Sequence, residues 1–242
     1  MRTAVMLDAC DFAESCMPAW IPDPGQPPIG HVDLQEIDAL LHKAPLQRRL
    51  VRARRRLFRA GQPCRALFLV HAGLFKTCVL SEDGWERVTG FHLRGALLGI
   101  DSFDMPVHAC DAIALDTSEA WELPLSWLNT EGRDLLPHVT GMLAAEIRRD
   151  GRWMLALGHF SAEQRVCAFL LDLAARLHLL GFSAQHLLLR MTRADLGSFL
   201  SLKLETVTRA LSRLDARGLI SVERREIVIR DETGLRSILA RP

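Results

Sequence analysis

The pattern of apolar and polar residues changes once along the chain, near Leu125. From about Leu50 to Pro124, short apolar runs such as LFLVHA and LFKTCVL are separated by turn residues, and Asp83-Gly84 between two runs is typical of a β-hairpin. Several short strands at this spacing predict a β-barrel or jelly roll. Beyond Leu125, apolar residues recur every three or four positions, which predicts helices.

The first 41 residues of the chain have a different residue pattern from the strands that follow. Residues 1–30 include IPDPGQPPIG, whose prolines and glycines are incompatible with a regular element. The segment Asp33–Leu41 (DLQEIDALL) has helical apolar spacing and predicts a short amphipathic helix. We therefore expect an irregular N-terminal segment ahead of the strands.

The first long helix carries one apolar stripe with the spacing of a coiled-coil seam. The stripe consists of Leu136, Val139, Leu143, Ile147, Asp150, Met154 and Leu157. We expect its part from Leu143 to Leu157 to form the interface of a parallel homodimer, where two Asp150 carboxylates would repel each other and weaken the dimer. The alternatives are a helix that packs on its own domain and an Asp150 that faces solvent.

Two further helices have recognisable starts. Ser161 with Gln164 three residues later forms a capping-box pattern, and Gly181 is a suitable C-terminal cap for that helix. Thr192 is a good N-cap for a short second helix, in which Asp195 takes the N3 position.

The region after Thr192 predicts a winged helix-turn-helix. Gly197 allows a close crossing with the next helix, which follows a turn at residues 201–203 and spans residues 204–217. Gly218 ends this helix. Two β-like runs around a charged centre, LISVERREIVIRD, then predict a wing. We call the whole stretch from Thr192 to Asp231 the reading head.

The second helix of the reading head has two chemically distinct faces. Its apolar positions Leu204, Val207, Leu211 and Leu214 are expected to face the core. Glu205, Thr208 and Arg209 share the opposite face, where arginine matches guanine and glutamate accepts from cytosine. The residues expected to contact DNA are Thr192, Lys203, Glu205, Thr208, Arg209, Ser212 and Arg213. The alternative is a surface helix with ordinary charges.

Charge and composition narrow the function classes. The formal net charge is only +1, but the chain from Arg190 onward contains 11 Lys/Arg against 7 Asp/Glu, an excess that suits a phosphate-facing module. No apolar run is long enough for a membrane span, and the N-terminus does not resemble a secretory signal, so we expect a cytoplasmic protein with no membrane partner. The absence of a nucleophile–base pair, P-loop or HExxH motif predicts that the protein is not an enzyme.

Three motifs carry a family resemblance: MTRADLGSFLSLKLETVTRALSRLDARGLI, VTGFHLRGALLGID and SAEQRVCAFLLDLAARL. Together they resemble the FNR branch of the CRP/FNR superfamily of transcription regulators, over about residues 57–231. The resemblance implies an α+β fold with an N-terminal β-roll (a cyclic-nucleotide-binding-like jelly roll), a long dimerisation helix and a C-terminal winged helix-turn-helix. The expected organisation is an irregular segment (1–30), a β-roll sensor domain (31–132), a dimerisation helix (133–160) and a DNA-binding domain (161–242).

The resemblance also implies partners and roles. It implies a homodimer that binds palindromic double-stranded DNA and acts on RNA polymerase. Glu205, Thr208 and Arg209 match the family residues that read the half-site. Leu204 occupies the place where members of the cyclic-AMP type have an additional arginine, so we expect a TTGAT-like half-site.

The sequence specifies the signal that the regulator senses less well than its DNA contacts, although the resemblance implies a response to oxygen or redox state. Family members that bind cyclic AMP carry a Gly-Glu-Leu stretch and an Arg-Ser pair for the ribose and phosphate. The region that resembles it here, residues 95–112, contains no Glu and no Arg, so cyclic AMP is not expected. The family's [4Fe–4S] cluster needs four cysteines. Cys10 and Cys16 match two of them, whereas Leu7 and Trp121 occupy the other two places, so the metal-ligand set is incomplete.

Alternatives for the sensor therefore stay open. Cys10 and Cys16 are either remnants of a cluster site or a thiol pair that responds to oxidants, and an Asp near them is a further candidate ligand. Cys64, Cys78 and Cys167 are expected in the core, and Cys110 would reach the ligand place only if the roll were rearranged. A regulator that senses through haem, with His71, His92 or His108 as ligand, and one with no small-molecule ligand are the remaining alternatives.

Overall fold

The computed structural model describes residues 44–82 and 84–240. The predicted irregular segment 1–30, the predicted helix Asp33–Leu41 and the candidate ligands Cys10 and Cys16 lie outside these residues.

The N-terminal half is a β-roll of two antiparallel four-stranded sheets, in the orders β1-β8-β3-β6 and β2-β7-β4-β5. Its apolar core contains Phe58, Phe68, Phe75 and Leu98. The sequence pattern did not reveal β1, because four of its five residues are exposed. The strands are β1 Gln47–Val51, β2 Arg56–Phe58, β3 Ala66–Ala72, β4 Phe75–Leu80, β5 Glu86–His92, β6 Leu97–Leu98, β7 Asp111–Ala114 and β8 Ser118–Pro124.

A short helix α1 (Leu125–Leu128) leads into the long helix α2 (Leu136–His159), whose apolar stripe is split between two environments. Val139 is buried in a cluster with residues of the β1-β8-β3-β6 sheet, and Leu136 and Leu143 pack against that cluster. The first turns of α2, which precede most of the stretch expected at the dimer interface, therefore cover their own roll. Farther along, Ile147 and Met154 are 62% and 73% exposed.

Helix α3 (Ala162–Leu179) is the centre of the C-terminal half, and its termini follow the predicted local rules. The Ser161 hydroxyl accepts the Gln164 N–H, and the Gln164 side chain accepts the Ser161 N–H, so the capping box is confirmed. Gly181 has φ +82° just beyond the helix, as a C-terminal cap requires. The Gln164 amide also donates to the Ile238 carbonyl at 3.1 Å.

The rest of the C-terminal half is a winged helix-turn-helix. The two short elements β9 and α6 were not predicted from the sequence: β9 has only three residues, and α6 only eight. The elements are β9 His186–Leu188, α4 Arg193–Leu200, α5 Leu204–Ala216, β10 Ile220–Glu223, β11 Glu226–Ile229 and α6 Glu232–Leu239, with the sheet order β10-β11-β9. The expected α+β architecture is confirmed.

The two halves share one apolar core. Leu74, Val88 and Phe91 of the roll belong to the same buried cluster as Trp153 of α2 and Phe199 of α4. The rings of Phe91 and Phe199 meet edge to face with centroids 5.3 Å apart. Of the helices described, none combines the length and apolar character that a bilayer span requires.

Candidate nucleic-acid interface

Helix α4 is fixed at its start by a reciprocal capping box. The Thr192 hydroxyl accepts the Asp195 N–H at 3.0 Å, and the Thr192 N–H donates to Asp195 Oδ2 at 3.0 Å. The same hydroxyl donates to Asp195 Oδ2 at 2.7 Å. Thr192 is exposed at the protein surface, and its hydroxyl has one lone pair left for an external donor.

The turn between α4 and α5 is tight because Gly197 contacts the turn backbone. The Leu202 N–H donates to the Gly197 carbonyl at 2.8 Å. Ser201 closes the helix in the left-handed conformation, with φ 53°. Lys203 then serves as the N-cap of α5 and is exposed.

Helix α5 buries a different set of residues from the one predicted. Val207, Leu211 and Leu214 are buried as expected, and Ala210 joins them. Leu204 is 47% exposed, so the expectation that it faces the core is wrong. It lies in the first turn, next to exposed Lys203 and Glu205, where its side chain remains largely uncovered.

The exposed face of α5 presents one acid and one base, one turn apart. Glu205 and Arg209 are both exposed, and no ion pair found among residues 44–82 and 84–240 involves either of them. Thr208, between them on this face, is half-buried. Its hydroxyl donates to the Leu204 carbonyl at 3.0 Å, which leaves its methyl group and the two lone pairs of the hydroxyl oxygen for an external partner.

Two further predicted contact residues flank this face. Ser212 is exposed one turn beyond Thr208. Arg213 is also exposed, with Nη1 3.9 Å from a Glu163 carboxylate oxygen. Arg217 makes the closer pair with Glu163, at 2.6 Å.

The wing adds basic residues that the sequence reasoning did not single out. Arg224 and Arg225 form the two-residue turn between β10 and β11, and Arg224 has φ 54°. A left-handed non-glycine residue is strained by about 1 kcal/mol or more, and such strain is often found at functional sites. These two residues, with Thr192 and Arg193, line a cleft of about 210 Å³ between the wing and the helices. One feature of the sequence could have indicated this strained turn: the segment ERRE places two arginines at hairpin positions that normally hold Gly or Asn.

In the roll, the position that the resemblance matches to a cysteine ligand holds a packed indole. Trp121 stacks on His71 with ring centroids 4.1 Å apart, and its Nε1–H donates to Glu119 at 2.9 Å. Arg48 pairs with the same carboxylate at 2.8 Å. An indole has no lone pair to offer to iron, so Trp121 is not a cluster ligand.

The cysteines that the structure describes have the character of core residues. Cys64, Cys78, Cys110 and Cys167 are buried. Burial raises the pKa of each thiol, to about 11 for Cys78 and about 12 for Cys167, which opposes the thiolate form that iron binds. Within the described ranges no three His, Cys, Asp or Glu side chains come together as a metal site. The donor set described here does not fit a conventional four-thiolate cluster.

The three histidines considered as haem ligands each stack on a ring or hydrogen-bond to a side chain of the protein. His71 stacks on Trp121, and buried His108 stacks on Phe58 with centroids 3.9 Å apart. His92 is hydrogen-bonded to the Thr77 hydroxyl at 2.9 Å. Burial lowers the pKa of His92 to about 4 and also lowers the pKa of His108, so both rings are neutral at pH 7.

Two family models match the chain, one described as a Crp-like helix-turn-helix domain over residues 164–238 and one as a cyclic nucleotide-binding domain over residues 48–130. The Anaerobic regulatory protein of Pasteurella multocida is 33% identical over 236 residues, which cover 96% of this chain and 82% of the relative. The Transcriptional activator protein anr of Pseudomonas aeruginosa is 37% identical over 182 residues, or 74% and 75% of the two chains. The solved structure of FixK2 from Bradyrhizobium japonicum is 29% identical and superposes with a TM-score of 0.73, covering 80% of this chain and 96% of that one.

Proposed function

The chain belongs to the FNR branch of the CRP/FNR family of DNA-binding transcription regulators, and we propose on this basis that it reads a palindromic DNA site as a homodimer and acts on RNA polymerase. The observation that supports this most directly is the exposed face of α5. Glu205 and Arg209 lie one turn apart and make no ion pair with the rest of the described chain. Charged side chains without internal partners are available to base edges.

The proposed base contacts follow from donor and acceptor chemistry. Arg209 can donate two hydrogen bonds to guanine O6 and N7, and Glu205 can accept from a cytosine amino group. Thr208 offers its methyl group to a thymine methyl. Since Leu204 stands at the place where members of the cyclic-AMP type have an additional arginine, we propose a TTGAT-like half-site.

The flanking residues would contact the phosphate backbone. Thr192, Lys203, Ser212 and Arg213 surround the reading face, and we add the wing arginines Arg224 and Arg225 to this group. Phosphate contacts set the register of the protein on the duplex, whereas base contacts supply sequence preference.

A homodimer follows from the same geometry. Two recognition helices about one DNA turn apart match a two-fold symmetric site. We propose that the α2 stripe from Leu143 to Leu157 forms the interface through Leu143, Ile147, Asp150, Met154 and Leu157, with Leu143 also packing against the roll. Ile147 and Met154, at 62% and 73% exposure, are apolar side chains that a partner helix would cover.

The names of the relatives support an oxygen- or redox-linked signal for this chain, with a transcriptional rather than an enzymatic role in the cytoplasm. The described residues do not complete a conventional cluster, because Trp121 replaces one ligand and the buried thiols have raised pKa values. We therefore propose that Cys10 and Cys16 act as an oxidant-responsive thiol pair. Iron and acid-labile sulfide content and the visible spectrum of anaerobically purified protein test this, because a four-iron cluster or a haem would contradict it.

A DNA-binding experiment tests the base-reading assignment. Parent and Arg209→Ala proteins are titrated with a TTGAT-N4-ATCAA duplex and with duplexes changed at the guanine pair. We expect Arg209→Ala to lose roughly 1–3 kcal/mol of binding free energy and to discriminate less at that position. Arg236→Ala, which removes a charge from α6, is the matched control. Parent-like binding by Arg209→Ala would show that another residue reads the base.

A further inference from the structure

We infer that the β4–β5 hairpin of the roll is a positioning element for the reading head and that Lys76 is the positioning residue through which it acts. The contacts join Lys76, Glu86 and Val88 of the roll to Asp195 and Ser198 of α4, and we call this set the roll–head clasp. The clasp links sensor and reading head within one chain, in addition to the connection through α2.

The central contact of the clasp is a largely buried ion pair. Lys76 Nζ lies 2.7 Å from Asp195 Oδ1, and the two side chains are only 11% and 14% exposed. A second carboxylate, that of Glu86, lies 3.3 Å from the same ammonium. A buried ammonium needs such partners, because an unpaired charge away from water is strongly unfavourable.

Asp195 connects this ion pair to the start of the helix-turn-helix. While Oδ1 accepts from Lys76, Oδ2 accepts both the N–H and the hydroxyl of Thr192. One carboxylate therefore joins a lysine of the roll to the first turn of α4. A displacement of β4 would be transmitted to that turn without passing through the rest of the chain.

Ser198 makes the second polar contact, with an edge strand. β5 lies at the edge of the sheet β2-β7-β4-β5, so one side of its backbone lacks a strand partner. The Val88 N–H donates to Ser198 Oγ at 2.9 Å, and that hydroxyl donates to the Glu86 carbonyl at 3.2 Å. Helix α4 thus takes the place of a neighbouring strand along this part of β5.

Apolar packing beneath the clasp restricts it to one arrangement. Phe91 of β5 packs edge to face against Phe199 of α4 and Phe169 of α3. Arg176 of α3 donates to the Phe91 carbonyl at 2.8 Å. Since packed cores are not continuously deformable, the position of the hairpin fixes the position of α4.

The clasp leaves the reading face free. It engages α4, whereas Glu205 and Arg209 on α5 remain exposed. A contact that inhibited DNA binding by blocking the recognition helix would cover those side chains. A contact that holds α4 and leaves α5 open instead pre-orients the recognition helix, which reduces the ordering cost of binding DNA.

The test compares Lys76→Met with Arg52→Met, which removes the same charge from an exposed position on the roll. Active concentrations are set by stoichiometric titration, so that partial unfolding does not change the measured Kd. We expect Lys76→Met to bind the TTGAT-N4-ATCAA duplex about tenfold more weakly than Arg52→Met. Its discrimination at the guanine position and its salt dependence should match the control, because Lys76 is largely buried in the clasp and is not among the proposed DNA contacts. Equal or tighter binding by Lys76→Met would overturn the inference.

A second measurement does not depend on DNA, whereas the duplex comparison rests on the proposed function. Hydrogen exchange of the Val88 amide reports the bond to Ser198 directly. We expect it to be at least about tenfold faster in Lys76→Met than in Arg52→Met, since loss of the ion pair opens the clasp. Unchanged exchange refutes the clasp. If Lys76→Met does not fold, Ser198→Ala replaces it in the duplex titration with the same outcomes, and Lys76→Gln replaces it in the exchange measurement. Failure of the parent to bind the duplex would refute the proposed half-site and leave the exchange result to decide the clasp.

Discussion

Gly197 and Leu202 are bonded through their backbones across the helix-turn-helix turn: the Leu202 N–H donates to the Gly197 carbonyl, and a Cβ on Gly197 would lie 2.7 Å from the Leu202 carbonyl oxygen. Carbon and oxygen atoms of this kind do not approach so closely without displacement. The atom that would have to move is backbone, in the turn that sets the angle between α4 and α5.

We therefore expect Gly197→Ala to destabilise the protein by about 1–3 kcal/mol, as overpacking of a well-packed site does. The expected loss exceeds the usual helical advantage of alanine over glycine. Urea denaturation followed by circular dichroism measures the free energy of unfolding. Gly141→Ala in α2 is the control, since a Cβ there meets no atom within 4 Å and the substitution should not destabilise. Equal stability of the two variants would show that the turn relaxes freely.

A second prediction concerns the strained wing residue Arg224. Glycine tolerates its positive φ, so Arg224→Gly relieves about 1–2 kcal/mol of strain, against roughly 0.5–1 kcal/mol of added chain entropy in the unfolded state. We expect unchanged or higher stability together with weaker DNA binding, and a salt slope smaller by about 1, because one phosphate contact is lost.

Arg54 provides a close control for that change. It lies in the roll, is an arginine, and has φ 65°. Arg54→Gly should have a similar effect on stability and no effect on DNA affinity or its salt dependence. If both variants bind DNA alike, Arg224 has no role in the interface.

A third prediction concerns pH. His92 is buried, and desolvation, helped by Arg149 and Arg176 and opposed by Glu146 and Asp101, lowers its pKa to about 4. The unfolded chain therefore takes up a proton near pH 6.5, whereas the folded chain resists it. Stability contributed by neutral His92 is complete above pH 6.5 and is lost as the pH falls towards 4, by about 1.4 kcal/mol per pH unit.

We expect His92→Gln to remove this part of the acid sensitivity while glutamine keeps a polar partner for Thr77. The free energy of unfolding is measured by urea denaturation between pH 7 and pH 4.5 for parent, His92→Gln and His186→Gln, whose histidine is exposed. The parent and His186→Gln should lose stability in parallel, and His92→Gln should lose less. An identical slope for all three proteins would exclude His92 as the origin.

Structural features that depend only on neighbouring residues were predicted correctly from the sequence. Ser161, Gly181 and Thr192 cap helices as expected, because capping depends on residues a few positions apart. Features that depend on tertiary neighbours were missed. Periodicity alone placed Leu204 in the core, whereas the structure leaves it 47% exposed. The same periodicity put Val139 and Ile147 on one stripe and could not show that the roll covers only its first part. The ion pair between Lys76 and Asp195 joins residues 119 positions apart, a separation at which no sequence pattern operates.

The last prediction concerns Asp150, which lies on α2 between exposed Ile147 and Met154. Desolvation and the nearby Glu146 carboxylate raise its pKa, so its charge is already disfavoured before a partner approaches. In the proposed parallel dimer, two such carboxylates would meet across the helix pair and repel each other by about 1 kcal/mol or more. Asp150→Ala should therefore dimerise about fivefold more tightly or better in sedimentation equilibrium at pH 7.5.

Asp134→Ala, which removes an exposed acid just before α2, should leave the dimer unchanged. Lowering the pH through the raised pKa of Asp150 protonates its carboxylate and removes the repulsion. It should therefore tighten the parent dimer and not the Asp150→Ala dimer. A dimer constant equal in parent and Asp150→Ala would place Asp150 outside the interface.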